Sequence, residues 1–189
     1  MKYENSKENI GSEIVITPAS PDDVLGMQDV FHKAWRATYP NVEYGITVED
    51  IDERYKNRFD EERLAKRREQ MINPPTGEQT FVARDGNLVV GVCRVINQPD
   101  KNQLQALYIL PEYQGKGIGT ALWEEGLKFL DPNRDIEVWT ATYNHKAIAF
   151  YHNLGFKETG EKDLDEDLKM PISGNVIPEI HLIRKTESA

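Results

Sequence analysis

The chain has a single cysteine among its 189 residues and only four histidines. Cys93 therefore has no partner for an internal disulfide, and no group of cysteines and histidines has the spacing of a zinc site. The longest apolar runs are about five residues, whereas a membrane-spanning helix needs about 20. The first eight residues contain no apolar segment of the kind that a secretory signal requires. We therefore expect a cytoplasmic protein without a bound metal.

Basic residues are also in short supply. The chain carries 23 Lys and Arg against 32 Asp and Glu, which gives a net charge of −9. Such a chain repels nucleic acid phosphates and anionic lipid headgroups, so we expect no nucleic-acid partner and no membrane partner. The length suits one domain with a sizeable core. Residues 1–12 are polar and predict a flexible N-terminus, which leaves 13–189 as the single domain.

Hydrophobic spacing predicts two helical segments in the first part of the chain. Ser20 is a typical helix N-cap before Pro21, and apolar residues then recur every three or four positions until Pro40 ends the helix. A second helical segment is expected at 48–72, beneath a dense mixed-charge surface. Three residues form the apolar stripe of that segment: Ile51, Tyr55 and Phe59.

From residue 80 the sequence changes to the β-branched composition of strands. Asp85-Gly86-Asn87 is a strong hairpin signal between two such strands. Strands are expected at 13–17, 80–84, 88–96, 103–110, 136–142, 156–159 and 177–184, with helices at 119–130 and 145–154. The last two strands are separated by a predicted acidic loop at 161–178. This order predicts a mixed α/β or α+β fold built on one sheet.

A glycine-rich segment, 111–120, lies between a predicted strand and a predicted helix. Gly115, Gly117 and Gly119 allow a tight turn and a close approach of the backbone to a ligand. The helix start behind them presents unpaired N–H groups, which is a typical anion site. Neither the Walker A nor the Rossmann spacing is present. A loop that only turns a corner is the alternative.

Two motifs carry a family resemblance. Gln114-x-x-Gly117-x-Gly119 resembles motif A of the GNAT family of acyl-CoA N-acyltransferases. The downstream motif B of that family is similar to a second set of residues, in the right order: Asn144, Ala147, Phe150, Tyr151, Leu154, Gly155 and Phe156. The resemblance covers nearly the whole chain. It implies the GNAT fold, a mixed and mostly antiparallel sheet of about seven strands with about four flanking helices.

The resemblance implies acetyl-CoA as cosubstrate and assigns its contacts. The coenzyme A pyrophosphate would be held by the backbone N–H groups of Gln114, Gly115, Lys116, Gly117, Ile118, Gly119 and Thr120. In this family the strand before the loop bulges and splays from its neighbour. The main chain at Leu107 and Ile109 would then pair with the pantetheine arm and polarise the thioester carbonyl. Lys116 either touches a phosphate or is a solvated lysine.

Motif B supplies the proposed catalytic residue. Tyr151 matches the general acid that protonates the departing thiolate, although a packed core tyrosine is the alternative. Asn144 matches a pantetheine contact and is also a typical helix N-cap, and both roles can hold together. Cys93, inside an apolar strand, is expected to be a small core residue rather than a nucleophile.

This chain has no carboxylate at the position where many GNAT relatives have the general base. The family reaction is a direct attack of an amine on the acetyl thioester, and only about one in 10³ alkylamine molecules is neutral at pH 7. Many relatives place a carboxylate on the strand before the glycine loop, where this chain has Ala106. A water chain and a carboxylate such as Glu43 are both open as replacements.

The sequence gives two indications of the acceptor amine, one from a resemblance and one from composition. Residues 34–47 match the region where GNAT proteins build the acceptor pocket, and they resemble bacterial proteins near the PaiA-type polyamine acetyltransferases. Residues 158–169 carry six acids against two lysines, so they either attract a polycationic amine or form an ordinary solvated loop.

The expected function is N-acetylation of a small-molecule primary amine. The alternatives are a protein N-terminal or lysine acetyltransferase and a non-catalytic coenzyme-A-binding regulator. A homodimer is also considered, with Trp35 or Leu168 as exposed apolar contacts.

Overall fold

The computed structural model describes residues 13–186, so the predicted flexible N-terminus, 1–12, lies outside the described residues. Seven strands are present: β1 (Ile14–Pro18), β2 (Glu78–Asp85), β3 (Leu88–Gln98), β4 (Lys101–Ile109), β5 (Ile136–Ala141), β6 (Lys157–Asp163) and β7 (Glu179–Arg184). Five α-helices accompany them: α1 (Val24–Thr38), α2 (Val48–Arg54), α3 (Glu61–Ile72), α4 (Ile118–Phe129) and α5 (His145–Asn153). In residues 13–186 no helix is long and apolar enough to cross a bilayer.

The strands form one mixed sheet in the order β1-β2-β3-β4-β5-β7-β6. Every neighbouring pair is antiparallel except β4 and β5, which run parallel. The mostly antiparallel, seven-stranded fold class expected from the sequence is therefore confirmed. The hairpin signal is confirmed too, since Gly86 takes a positive φ of 57° between β2 and β3.

The first helix begins as its sequence predicts. The Asp23 carboxylate turns back to accept hydrogen bonds from the backbone N–H and the hydroxyl of Ser20, both at 2.7 Å. One turn of 3₁₀ helix, Pro21–Asp23, then leads into α1. The helix ends at Thr38, two residues before Pro40, because proline cannot continue the helical hydrogen bonds.

The single helical segment expected at 48–72 is wrong, because the chain leaves the helix after Arg54 and starts a new one at Glu61. Asp60 caps the new helix, with its carboxylate accepting the N–H of Glu62. Phe59 lies in the break and is 47% exposed, so it does not share the stripe of Ile51. This break raises the helix count from the expected four to five.

The edge strand β6 extends further than its composition suggests. The strand runs to Asp163, so the acidic loop begins at residue 164, three residues later than the predicted start at 161. Gly160 has a φ of 84°, and the register with β7 shifts between Glu158 and Lys162. Every residue of β6 is exposed. A bulged, charged strand is a common edge of a sheet, and an apolar alternation cannot reveal it.

Helices α1 and α4 cover opposite faces of the sheet. On one face Phe31 of α1 meets the ring of Tyr108 edge-on, with centroids 5.5 Å apart. The next residue, Ile109, points to the other face, where Leu122 of α4 also lies over Gly91. A side chain at Gly91 would collide with both, so this glycine lets α4 pack closely on β3.

A second, smaller core lies beside the main one, where the end of α1 meets the end of β5. Its buried apolar residues come from α1, the loop after α1, α2, the end of β5 and the segment before β7. We name this group the side cluster: Trp35, Tyr39, Ile46, Ile51, Ala141, Met170 and Ile177. Trp35 is only 8% exposed, and Leu168 is half-buried against the cluster. Trp35 is therefore not the exposed apolar contact that the sequence suggested, whereas Leu168 keeps part of its surface exposed.

Asp50 ties the two parts of the side cluster together. One carboxylate oxygen accepts from the N–H and hydroxyl of Thr47 at the start of α2. The other accepts from the amides of Ile172 and Ser173, at 3.1 and 2.8 Å. Burial alone raises the pKa of Asp50, but the hydrogen bonds from Ser173 and Thr47 outweigh it and lower the pKa to about 2.

We expect Asp50→Asn to lower the free energy of unfolding by about 2 kcal/mol at pH 7, because a buried charged acceptor is lost. The folded pKa lies below the ordinary 3.8, so this stabilisation is present above pH 4 and disappears as the pH falls towards 2. Urea unfolding of both proteins across that range measures it. Asp100→Asn, in the exposed β3–β4 turn, should change stability by less than about 0.5 kcal/mol. An unchanged midpoint in Asp50→Asn would contradict the assignment.

Candidate active site

The site is built around a split in the sheet. Among the described residues β4 and β5 pair only at Asn102 with Ile136 and at Gln103 with Glu137. The buried Asn102 side chain closes this end, since its amide donates to the carbonyl of Asp131 at 2.7 Å and its oxygen accepts the N–H of Asp131. Beyond these pairs the two strands separate. The sequence did not predict this role of Asn102, because a polar residue near the start of a strand gives no periodic signal.

A bulge in β4 reinforces the split. Arg94 pairs with Ala106 and Val95 pairs with Leu104, so Gln105 has no partner on β3. An extra residue bends a strand and re-aims its backbone groups. The bulge and the splay that the family resemblance implied are therefore both present.

The separated strands enclose a cleft of about 450 Å³. It is lined by β4, the glycine loop, β5, the first turns of α5 and the end of α1. Nine of the sequence-predicted site residues line it: Leu107, Ile109, Gln114, Gly115, Gly117, Gly119, Thr120, Asn144 and Tyr151. Ala106 lines it as well, with no carboxylate to offer.

Two predicted site residues do not line the cleft. Ile118 is buried in the main core, and the Lys116 ammonium group lies 4.7 Å from the centre of the Tyr113 ring. Any contact of Ile118 with a ligand is therefore made by its backbone.

The glycine loop presents a row of free amides. In the part of the chain that the structure describes, the N–H groups of residues 115–120 donate to no protein acceptor. Gly115 and Gly117 have φ values of 74° and 80°, which L side chains rarely adopt. A side chain at Gly117 would meet no atom within 4 Å, so the space before the loop is open. Open space before a helix N-terminus with free amides is suited to an anion such as a phosphate.

Motif B forms the wall opposite the loop. Asn144 caps α5, with its side-chain oxygen accepting the N–H of Ala147 at 3.2 Å, and it also lines the cleft. Tyr151 is 7% exposed and packs against Phe156. Burial raises the pKa of Tyr151 well above its usual value, and the neighbouring Tyr108 raises it further. Tyr151 is thus a protonated hydroxyl at neutral pH that is packed in the core and also borders the cleft.

Cys93 of β3 is close enough to Tyr151 to affect its pKa and has no exposed surface. Burial raises the pKa of its thiol to about 12. A thiol of this kind is not a nucleophile at neutral pH.

Tyrosines from three elements meet at the other end of the cleft. The hydroxyl groups of Tyr39 and Tyr108 are 3.0 Å apart. Tyr143 donates to the carbonyl of Tyr39 at 2.9 Å, and the ring of Tyr44 stacks on it. The region at 34–47 predicted to build an acceptor pocket therefore does border the cleft. Tyr108 and Tyr143 were missed, because each resembles an ordinary half-buried strand or loop residue in the sequence.

One acidic residue near these tyrosines has an unusual pKa. Half-burial of Glu179, with Asp165 and Asp163 nearby, raises the pKa of its carboxyl to about 7. Glu43, the carboxylate named from the sequence, is exposed on its loop and does not line the cleft. Glu179 could have been noticed as the single acid in the last apolar strand, but its neighbours come from distant parts of the chain.

Known proteins share this architecture. Residues 76–158 match the family model of the acetyltransferase (GNAT) domain. An uncharacterized N-acetyltransferase of Methanocaldococcus jannaschii is 32% identical over 80 residues, which are 41% of this chain and 34% of that protein. The peptidyl-lysine N-acetyltransferase YjaB of Salmonella typhimurium is 38% identical over 63 residues, which are 33% of this chain and 41% of that protein. A crystal structure of a PaiA N-acetyltransferase from Thermoplasma acidophilum with coenzyme A has a TM-score of 0.60 at 22% identity, covering 88% of this chain and 98% of that chain.

The split sheet, the glycine loop and the helix behind it define an acetyltransferase fold of the GNAT class. The match to the acetyltransferase (GNAT) domain model covers residues 76–158, less than half of the chain, and the fold of the whole described chain agrees with it. The chain spans less than half the length of the two curated relatives named above.

We expect Gly117→Val to weaken coenzyme A binding by more than about tenfold, because the loop must leave its conformation and the branched side chain occupies the open space. Isothermal titration with coenzyme A measures the change. Gly86→Val is the matched control, since Gly86 also has a positive φ and open surroundings but lies in the β2–β3 hairpin. Equal affinity in the two variants would show that the loop does not hold the ligand.

Proposed function

We propose that the chain, acting as a single domain over 13–189, is an acetyl-CoA-dependent N-acetyltransferase that acetylates a primary amine of a small molecule. The proposal depends above all on one observation, the six free amides of residues 115–120 at the mouth of the split between β4 and β5. An anion site that opens into a narrow cleft suits a long ligand with a pyrophosphate at one end and a thioester at the other.

Each part of the ligand has a proposed partner. The amides of residues 115–120, with Gln114, hold the pyrophosphate. Pairing with β5 is lost beyond Gln103, so the β4 backbone at Leu107 and Ile109 is available to pair with the pantetheine arm and polarise the acetyl carbonyl. Asn144 contacts the pantetheine while it continues to cap α5.

Tyr151 acts as the general acid. The amine nitrogen attacks the acetyl carbon, the C–N bond forms, and collapse of the tetrahedral intermediate breaks the C–S bond. Tyr151 gives its proton to the departing thiolate, and the phenolate recovers a proton from the new amide nitrogen. Because burial raises its pKa, the Tyr151 hydroxyl carries its proton at neutral pH and is present as a donor when the thiolate forms.

The acceptor enters from the end lined by Tyr39 and Tyr108. Aromatic faces and nearby acids favour a cationic amine, and Asp163, Asp165 and Glu179 lie together beside this end. A polyamine is the first candidate. The similarity to a peptidyl-lysine N-acetyltransferase supports a lysine side chain as the second candidate.

Release of free coenzyme A thiol from acetyl-CoA tests the function directly. The panel contains spermine, spermidine, monoamines, lysine peptides and a reaction without acceptor. We expect turnover with polyamines and a weaker response to monoamines, because a second positive charge meets the acidic edge. Turnover with lysine peptides alone would support the second acceptor class. Coenzyme A binding without turnover on any acceptor would contradict the enzymatic proposal and support a coenzyme-A-binding regulator.

For Tyr151→Phe we expect kcat to fall by about 100-fold with unchanged acetyl-CoA affinity, because only the proton donor is removed. Steady-state kinetics and titration with acetyl-CoA measure the two quantities. Tyr55→Phe is the matched control, since Tyr55 packs against Trp35 behind the cleft and does not line it. An undiminished kcat in Tyr151→Phe would remove the general-acid role.

A further inference from the structure

Glu179 occupies a distinctive position in the sheet. It is the first residue of β7, and it pairs with Ala141 at the end of β5 and with Asp163 at the end of β6. Directly paired residues of antiparallel strands share a face. Glu179 therefore lies on the face of Ala141, which belongs to the side cluster with Trp35 and Tyr39.

This position is beside the open end of the cleft. β4 and β5 pair at Ile136 and Glu137, at the start of β5, and Ala141 is at the other end of that strand. The charge of Glu179 acts on the hydroxyl groups of Tyr39, Tyr108 and Tyr151. All three tyrosines line the cleft and Glu179 does not, so the carboxylate adjoins the tyrosine end of the cleft without bordering it.

The carboxylate is also free to act. Within residues 13–186 the side chain of Glu179 has no hydrogen-bond or ion-pair partner. The titratable and charged groups of this region come from five elements and two loops: Arg54 of α2, which acts on Tyr108, Tyr108 itself of β4, Tyr151 of α5, Asp163 of β6, His181 of β7, Tyr39 just after α1 and Asp165 after β6. Arg54 is engaged elsewhere, with its guanidinium 5.0 Å from the centre of the Trp35 ring and donating to the carbonyl of Asp167.

The reaction needs a proton acceptor that Ala106 cannot supply. An alkylamine arrives as its ammonium ion, because its pKa is about 10.4 and only about one molecule in 10³ is neutral at pH 7. Nitrogen has no lone pair for attack until one proton leaves. A carboxylate near the tyrosine end of the cleft meets this requirement.

We propose that Glu179 is the general base that takes the proton from the acceptor ammonium group across an intervening water molecule. This proposal depends on the N-acetyltransferase function proposed above. The N–H bond of the ammonium breaks and an O–H bond forms on Glu179, which leaves a neutral amine to attack the acetyl carbon. Glu179 then releases its proton to solvent, so the overall reaction converts ammonium and acetyl-CoA into amide, coenzyme A thiol and one proton.

The titration of Glu179 suits this task. Burial comes first among the causes that raise its pKa to about 7, followed by the charges of Asp165 and Asp163. A base with a pKa near the working pH is mostly ionised and still holds a proton well enough to remove it from the amine.

The test compares the pH dependence of kcat/KM in the wild type and in Glu179→Gln, with the best amine of the panel as acceptor. The wild type should rise through pH 7 and stay level up to the pKa of the amine. The variant should be about 100-fold slower at pH 7.5 and should gain about tenfold per pH unit towards pH 10, because the free amine then replaces the base. A merely structural role would not give a defect that disappears at high pH.

Two further variants sharpen the result. Asp163→Asn removes one charge that raises the pKa of Glu179, so the inflection should move to lower pH. Glu124→Gln removes the same charge from the exposed surface of α4 and should keep the wild-type profile. A Glu179→Gln profile that coincides with the wild type would overturn the proposal and leave the acetyltransferase function intact. A wild type with no turnover on any amine at any pH would overturn both proposals.

Discussion

Two backbone pairs, Asn102 with Ile136 and Gln103 with Glu137, make up the whole connection between β4 and β5 in the described chain. The rest of the site depends on this shortage of pairing. Unpaired strand backbone is costly when it is buried, so the separated strands require either water or a ligand with its own donors and acceptors. The Asn102 side chain bridges to Asp131 and prevents the separation from running through the closed end of the sheet.

The two ends of the cleft differ in the chemical groups that they offer to a ligand. Residues 115–120 of the glycine loop offer backbone N–H groups and contain no acid, which favours an anion. The opposite end offers tyrosine hydroxyls with a carboxylate nearby, which favours a cation. In the proposed function, a chain with a net charge of −9 would need no cationic side chain to hold a phosphate ligand, because amide dipoles would hold it.

Local patterns predicted the fold well where one element determines its own structure. The hairpin at Gly86, the capped start of α1 and the glycine loop each depend on a few adjacent residues, and all three are present. The break between α2 and α3 and the bulged edge strand β6 escaped prediction, because packing and pairing with distant segments decide them. The nine cleft-lining residues followed from two motifs. The proposed role of Glu179 did not follow from a motif, because it depends on strand register, which a single sequence does not reveal.

The buried thiol of Cys93 bears on the chemistry that surrounds the proposed reaction. Each turnover would release a second thiol, that of coenzyme A, into the cleft beside Tyr151. Thiol–disulfide exchange requires an accessible thiolate, and Cys93 has neither exposure nor, with its pKa raised to about 12, an appreciable ionised fraction. The folded chain is thus resistant to covalent capture by its own product and by coenzyme A disulfide. Oxidising conditions would act on the pool of coenzyme A before they act on the protein.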